Sequence, residues 1–394
     1  MAGCSVAKRL SSRMGKLVQS DIRRLTIECD KVGGINLGQG ICDLPTHPLV
    51  KQGAIDAINR NQAIYTHARG LIELRRAIAT KLRDFNGLHY DPDTELCITV
   101  GSSGAFACSV LATLDAGDEV ILVEPFYGYH LNTLIMAGVV PRYARMDLAT
   151  MALDRASFEA AITPRTRGVV ICTPSNPGGM VYSANDLQWL AGFAEQHDLL
   201  VYSDEIYEYI TYDGLKHTSA GTIPALRNRT LLMGGYSKTF SITGWRIGYL
   251  AAPADIMDKA AVASDLLYIC APNPLQRGVL NGLNAPATFY EEMRQHYETG
   301  RTMICEALSA GGFKPYRPLG SYYVMADFSA HGWPDDQVAA TELLRHARVA
   351  AIPGSAFYEP GSGRGSRLLR FCYAKELDVL EQACQRIRDL GTAN

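Results

Sequence analysis

The chain has 394 residues, with 38 Lys+Arg against 40 Asp+Glu and a formal net charge of −2. A balance this close to neutral argues against the broad basic surfaces that select nucleic acid or anionic membranes. Hydrophobic content of 47% and charged content of 20% fit a globular chain with a large core, divided at this length into two domains, and no apolar run is long enough to span a bilayer.

Lys8, Arg9, Arg13 and Lys16 are scattered among Ser and Gly without an apolar stretch. The start therefore reads as a polar, basic arm over residues 1–35 rather than a secretory signal. Ten cysteines occur with no Cys-x-x-Cys pair. Cys97, Cys172 and Cys372 lie inside apparent strands, so they read as reduced apolar fillers in a cytoplasmic protein. The nine histidines form no metal-binding pattern.

After the arm, Ile35-Asn-Leu-Gly-Gln-Gly-Ile-Cys-Asp-Leu-Pro45 is a short strand entering a glycine-rich turn. Residues 48–60 read as a helix, with Val50, Ala54, Ala57 and Ile58 on one face. Residues 63–67 are extended. Residues 70–85 form an amphipathic helix with Leu71, Leu74, Ile78 and Leu82 in register. Strands and helices then alternate: strand 96–100, helix 103–114, strand 119–123, helix 127–137, strand 168–172, a helix from Ser183 with Asp186 as its capping box, then strands 199–203, 231–233 and 247–252. Short continuous apolar runs joined by helices predict a mainly parallel sheet covered on both faces. Beyond residue 285 the pattern changes. A long helix over 288–310, a strand over 320–327, a helix near 338–346, a strand over 368–373 and a final helix predict a smaller α+β domain. The expected fold class is α/β, with a large domain over 46–285 and a small domain formed by 1–45 and 286–394.

Candidate chemistry gathers where the strands end. Val100-Gly-Ser-Ser-Gly-Ala-Phe106 follows a strand and opens a helix. Its free N–H groups, the helix dipole and the hydroxyls of Ser102 and Ser103 suit a phosphate. Thr173-Pro-Ser-Asn-Pro-Gly-Gly179 makes a tight loop at a strand's C-terminal end, the edge where ligands gather in open sheets. Tyr202-Ser-Asp-Glu-Ile-Tyr207 ends the next strand and offers Asp204, with Glu205 as a flanking charge. Lys238 follows the apolar run Thr230–Met233, and Arg246 comes eight positions later. Burial of a lysine at the mouth of a strand favours its neutral, nucleophilic form, and an arginine suits a phosphate dianion. An aldehyde carrying a phosphate would satisfy both, as pyridoxal 5'-phosphate does.

The stretch Gly235-Tyr-Ser-Lys-Thr-Phe-Ser-Ile-Thr-Gly-Trp-Arg-Ile-Gly-Tyr249 resembles the cofactor-lysine signature of the class I/II aminotransferases, enzymes of pyridoxal-phosphate fold type I, and the likeness extends over nearly the whole chain beyond the arm. The resemblance implies a Schiff base on Lys238, which then moves a proton between the substrate Cα and the cofactor. It implies a phosphate cup at Ser102, Ser103 and Arg246, and an aromatic ring from Tyr127 stacked on the cofactor. Asn176 and Tyr207 would reach the phenolic oxygen and Asp204 the pyridine nitrogen, where an opposite charge keeps the ring protonated and electron-withdrawing. It implies Arg370 on a substrate α-carboxylate, with Asn176, Gly40 and Ile41 beside it, and Tyr65 reaching the phosphate of a neighbouring subunit in a homodimer. The arm would fold with the small domain.

Two positions depart from the family pattern. Gly235 stands where many relatives carry a phosphate-binding serine, with Ser237 nearby, and Cys42-Asp43-Leu44 replaces Pro-Asp-Phe near the substrate. The implied function is transfer of an amino group from an L-α-amino acid to a 2-oxo acid. The alternative is β- or γ-elimination or replacement through the same carbanion, in a lyase or a specialised biosynthetic enzyme. A ligand-sensing regulator ranks behind both, because no basic recognition helix is present. The 265–273 stretch lacks the arginine that dicarboxylate-preferring relatives often contribute across the dimer. Arg277 lies on a predicted helix. Tyr268, Ile41 and Tyr127 then predict a neutral, bulky or aromatic amino donor.

Overall fold

The structure, a computed structural model, describes residues 11–17 and 21–392. The part of the basic arm over 1–10 and 18–20 lies outside the described residues. Within the remainder of the arm a helix, Asp21–Lys31, buries Leu25 and Cys29. Leu25 and Cys29 stand four residues apart, on one helix face, in an otherwise polar stretch; docking on the rest of the fold stabilises such a helix more than its own propensity does.

Chain order gives β1 (Ile35–Asn36), β2 (Leu96–Val100), β3 (Glu119–Glu124), β4 (Val140–Asp147), β5 (Ala152–Asp154), β6 (Thr166–Cys172), β7 (Leu200–Asp204), β8 (Thr230–Gly235) and β9 (Ile247–Ala251). β2 to β9 form one sheet in the order β2-β9-β8-β7-β6-β3-β4-β5. The five strands from β8 to β4 are parallel. β9 is inserted antiparallel between β8 and β2, and β5 pairs antiparallel with β4 at the edge. The sheet is therefore mixed, with a parallel centre.

The apolar runs are continuous because both faces are covered. Val120, Leu122 and Val170 enter one core cluster, and Ile121, Val123, Val169 and Ile171 enter another, the alternation that a strand's two-residue period dictates. The Ser183–Asp186 capping box is present in full. β4 and β5 carry no such run: Val140-Pro-Arg-Tyr-Ala-Arg-Met-Asp147 is half-exposed and too polar to stand out.

The C-terminal part adds β10 (Lys314–Tyr316), β11 (Tyr323–Asp327), β12 (Val349–Ala350), β13 (Ile352–Pro353) and β14 (Leu368–Cys372). These make an antiparallel sheet ordered β10-β11-β14-β13, while β1 pairs parallel with β12. The Leu37 carbonyl accepts from the Cys372 amide at 2.6 Å, which fastens the N-terminal segment to the C-terminal sheet. One core cluster joins this unit to Ile206, Tyr207, Ile210 and Tyr212 from the loop after β7. Strand order reverses between β3 and β6, and the loops leaving that switch point open towards the smaller sheet, the crevice where open α/β sheets hold ligands.

Candidate active site

A cleft of about 380 Å³ lies at that crevice. Its lining brings together Lys238, Asp204, Tyr207, Asn176, Tyr127, Ser102, Ser103, Arg246, Gly40, Ile41 and Arg370, residues spread over most of the chain. Tyr65 is not among them: it is 74% exposed on the surface of its own chain. Tyr268 also lies outside the cleft, packed over the position of Gly104 on the Gly101–Thr113 helix, so within one chain it does not shape the pocket as the sequence suggested. Arg277 is on the Asn273–Gly282 helix and bonds Asn273 Oδ1 at 3.2 Å.

Lys238 leaves the end of β8 in a loop. Its Nζ donates to the Gly40 carbonyl at 3.1 Å and faces the rings of Tyr207 and Tyr322, with centroids at 5.9 and 5.8 Å. Burial pushes the amine below the usual lysine range, and the charges of Arg246 and Arg370 add to that. The result favours a neutral amine.

The Gly101–Thr113 helix starts without a side-chain cap, so its first N–H groups are open to an anion. Gly101 has φ +70°, and a Cβ there would sit 2.4 Å from Arg246 Nη2. Only a glycine lets the guanidinium lie against this helix start. Arg246 bonds the Thr243 carbonyl at 3.0 Å. Gly235 also has a steric reason. A Cβ there would meet Ile206 Cδ1 at 2.9 Å and Gly248 Cα at 3.1 Å, so a serine would not fit between β8 and β9 as they stand. Ser237, buried and on the cleft wall, supplies a hydroxyl instead.

Asp204 ends β7, buried, with Oδ1 accepting the Ile206 amide at 3.3 Å and Oδ2 3.1 Å from His130 Nε2. His130 is wedged between Phe106 and Tyr127, with ring centroids at 4.7 and 5.4 Å. Tyr127 precedes the Gly128–Ala137 helix and stacks on Tyr129 at 5.1 Å and 20°. His130 escaped the sequence reading. Its one signal is its place three residues after Tyr127, one turn along the same helix face.

Arg370 is 1% exposed. Its Nη1 donates to Asn176 Oδ1 at 2.9 Å, its Nη2 donates to the Gly38 carbonyl, and its Nε has no hydrogen-bond partner. The guanidinium stacks over Tyr323 and Phe357, at 4.4 and 4.8 Å. Among the described residues no carboxylate pairs with it. A buried cation without an anion is costly, and a bound carboxylate would relieve that cost. Cys42, at the second departure, points away from the cleft: its Sγ lies 3.5 Å from Tyr322 Oη and 3.9 Å from the Lys238 carbonyl.

Glu205 is not a flanking surface charge. It is fully buried, 2.8 Å from His217 Nε2, and accepts from Ser203 Oγ at 2.7 Å and the Ala220 amide at 3.1 Å. Burial alone would raise its pKa, but His217 and these donors bring it below the usual carboxylate range. Glu208 is paired with Lys81 and accepts from Asn86 Nδ2 at 2.9 Å. These two buried carboxylates fix the loop that carries Asp204 and Tyr207.

An uncapped helix start beside an arginine, a desolvated lysine, an aspartate at the floor and a buried arginine lacking an anion fit pyridoxal phosphate bound with an amino acid. Fold and site together define a pyridoxal-phosphate enzyme of fold type I. The chain belongs to the class I and II aminotransferase family, whose profile matches residues 32–387. It is 33% identical over 385 residues to aromatic-amino-acid aminotransferase 2 of Thermococcus litoralis, covering 96% of this chain and 97% of that one. It is 35% identical over 396 residues to the aspartate aminotransferase of Geobacillus stearothermophilus, covering 96% and 98%. The solved structure of N-succinyldiaminopimelate aminotransferase from Mycobacterium tuberculosis superposes with a TM-score of 0.93 at 32% identity, covering 97% of this chain and all of that one. The protein is an aminotransferase that uses pyridoxal phosphate.

Proposed function

We propose that Lys238 carries the cofactor and shuttles the proton, and that the preferred amino donor is neutral and bulky or aromatic. The observation that carries the donor reading is the set of cations in the cleft. Among the described residues its basic side chains are Lys238, Arg246 and Arg370. All three are occupied in this reading. Lys238 holds the aldehyde, Arg246 with the Ser102–Ser103 helix start holds the phosphate, and Arg370 holds the α-carboxylate. Gln39, Ile41 and Tyr129 line the remaining wall, with Ile41 40% and Tyr129 51% exposed. An apolar side chain would cover them, whereas a second carboxylate would enter without a partner, at a cost of about 1–3 kcal/mol, or roughly 10–100-fold in specificity.

In this reading Asp204, oriented by His130, would face the pyridine nitrogen and favour its protonated form. Tyr127 would pack against the ring, and Tyr207 and Asn176 would offer donors to the phenolic oxygen. When bound, the cofactor would supply an electron sink. Lys238 would act as the base that takes the substrate Cα proton and returns it. In this reading residues 46–285 would form the domain that binds the cofactor, and the described part of 1–45 with that of 286–394 the domain that brings Arg370.

The experiment is a panel of amino donors with product mass spectrometry. Phenylalanine and methionine are expected to exceed aspartate and glutamate in kcat/KM, each yielding its 2-oxo acid. Aspartate in the lead would overturn the donor reading, and loss of a β- or γ-substituent would point to elimination instead.

We also infer a homodimer with shared sites. Ile64 and Tyr65, each 74% exposed, and Leu266, 81% exposed, present apolar surface, and Asn273 Nδ2 bonds the Ile64 carbonyl at 3.1 Å. Exposed apolar side chains such as these suit a partner's surface, and the resemblance sends Tyr65 to the neighbouring phosphate. Mixing Lys238→Ala protomers with Tyr65→Ala protomers is expected to restore part of the activity through hybrid sites. Strictly monomeric sedimentation would rule this out. No helix among the described residues is long and apolar enough to cross a membrane. Nine cysteines among the described residues are free thiols, which supports a reducing, cytoplasmic setting.

A further inference from the structure

Tyr323 opens β11 in the smaller sheet, and its side chain lines the cleft together with Lys238. Its hydroxyl lies 3.2 Å from the hydroxyl of Tyr207. Its ring lies under the Arg370 guanidinium at 4.4 Å. Gly40 makes room for it: a Cβ at residue 40 would stand 1.9 Å from Tyr323 Oη. One buried side chain thus touches the residue assigned to the cofactor, the residue assigned to the substrate carboxylate and the backbone beside both.

We propose that Tyr323 is a positioning residue that couples the cofactor-facing hydroxyl of Tyr207 to the substrate-facing guanidinium of Arg370. The proposal rests on the roles given above to Tyr207 and Arg370. Tyr207 has one proton. If it is donated to the cofactor's phenolic oxygen, the Tyr207 oxygen must itself accept, and Tyr323 is the donor within reach. Hydrogen bonds in line polarise one another in a dry site, so the Tyr323 hydroxyl strengthens the bond that Tyr207 makes. A stronger donor on the phenolic oxygen stabilises its unprotonated form. That oxygen then competes less for the proton on the nearby lysine nitrogen, which is lost at lower pH. The ring does separate work: it holds the guanidinium of Arg370 flat for a carboxylate.

The other titratable groups facing the pair are Tyr127, Cys172, Cys372, Lys238 and Arg370, with the Tyr322 ring at 4.9 Å from that of Tyr323. Among the described residues the carboxylate in the same cleft is Asp204, held by His130 Nε2 at 3.1 Å and the Ile206 amide at 3.3 Å. Burial raises Cys372 to about 11 and Cys172 well above the usual thiol value, so neither changes charge between about pH 5 and pH 9, the range in which the test is read.

The test uses purified holoenzyme. The pH midpoint of the bound cofactor's visible band is followed, and the Kd of 3-phenylpropionate, a carboxylate with no amino group, is measured. Tyr323→Phe is expected to raise the midpoint by about 0.2–0.6 pH unit while changing Kd by no more than about twofold, because the ring remains. Tyr323→Leu is expected to raise the midpoint similarly and to weaken 3-phenylpropionate by about fivefold or more. A merely structural role would leave the midpoint of the Phe variant where it is in the parent, and that result overturns the proposal. So does a Phe variant that loses carboxylate affinity without a shift in midpoint. A parent enzyme whose band does not respond to pH would overturn the Tyr207 assignment itself, and with it the coupling.

Discussion

Replacing Lys238 with alanine is expected to lower turnover by about 10⁴-fold or more, with the fold intact. The loss has two parts. The amine that would hold the aldehyde is gone, and so is the group that carries the proton, which by itself is worth about 10²–10⁴-fold. Stability is expected to change little, because Lys238 contributes one hydrogen bond, to the Gly40 carbonyl at 3.1 Å, and its charged form is disfavoured by its surroundings. Circular dichroism and thermal unfolding should therefore match the parent while single-turnover conversion of an amino donor disappears. A variant that keeps more than about one-tenth of the parent rate would mean another group moves the proton.

Arg370 carries the second large effect. Arg370→Lys is expected to lower kcat/KM by about 10²–10³-fold for every α-amino acid, irrespective of side chain. A lysine can reach one oxygen of a carboxylate but cannot present two parallel donors. It also loses the contacts that orient the guanidinium: the bond to Asn176 Oδ1 at 2.9 Å and stacking over Tyr323 at 4.4 Å. The penalty should appear in substrate binding and turnover, not in Tm. Lysine keeps a cation at the same buried place, so the cost of a cation lacking an anion stands before and after the change. An effect confined to one donor would assign Arg370 to the side chain instead of the α-carboxylate.

The residues of the cleft are legible in the sequence where chemistry is local. Lys238 and Arg246 stand in one continuous stretch, and Gly101 to Ser103 sit at a strand-to-helix turn whose sequence declares its geometry. Asp204 and Asn176 follow apolar runs that could only be strands. What sequence does not disclose depends on pairing across distance. The antiparallel insertion of β9 is decided by its register with β2 and β8, and the composition of Ile247–Ala251 is the same for either direction. β4 is hard to see because its residues are half-exposed and Pro141 interrupts it. His130 and Tyr323 become visible only when the fold brings them to Asp204 and, across 116 positions of chain, to Tyr207. Glu205 misleads for the opposite reason. Next to Asp204 it looks like a solvated neighbour, yet a strand's alternation turns it to the other side, where it lies 2.8 Å from His217 Nε2.

The two departures from the family pattern also gain physical reasons. Gly235 is set by the close approach of β9 and Ile206, and Ser237 lies on the cleft wall in its place. Cys42 sits behind the lysine, not in the substrate's path, so that substitution bears on the packing around Lys238 more than on donor choice. In the reading proposed above, donor choice would fall to Gln39, Ile41 and Tyr129 on the cleft wall.

If Lys238 holds the cofactor, borohydride reduction of the purified holoenzyme will fix it there. Reduction converts a carbon–nitrogen double bond into a stable amine, so proteolysis and mass spectrometry then locate the tether. A single pyridoxyl-modified peptide is expected, the one containing Lys238, and none from the Lys238→Ala variant. A modified peptide carrying any other lysine would contradict that assignment.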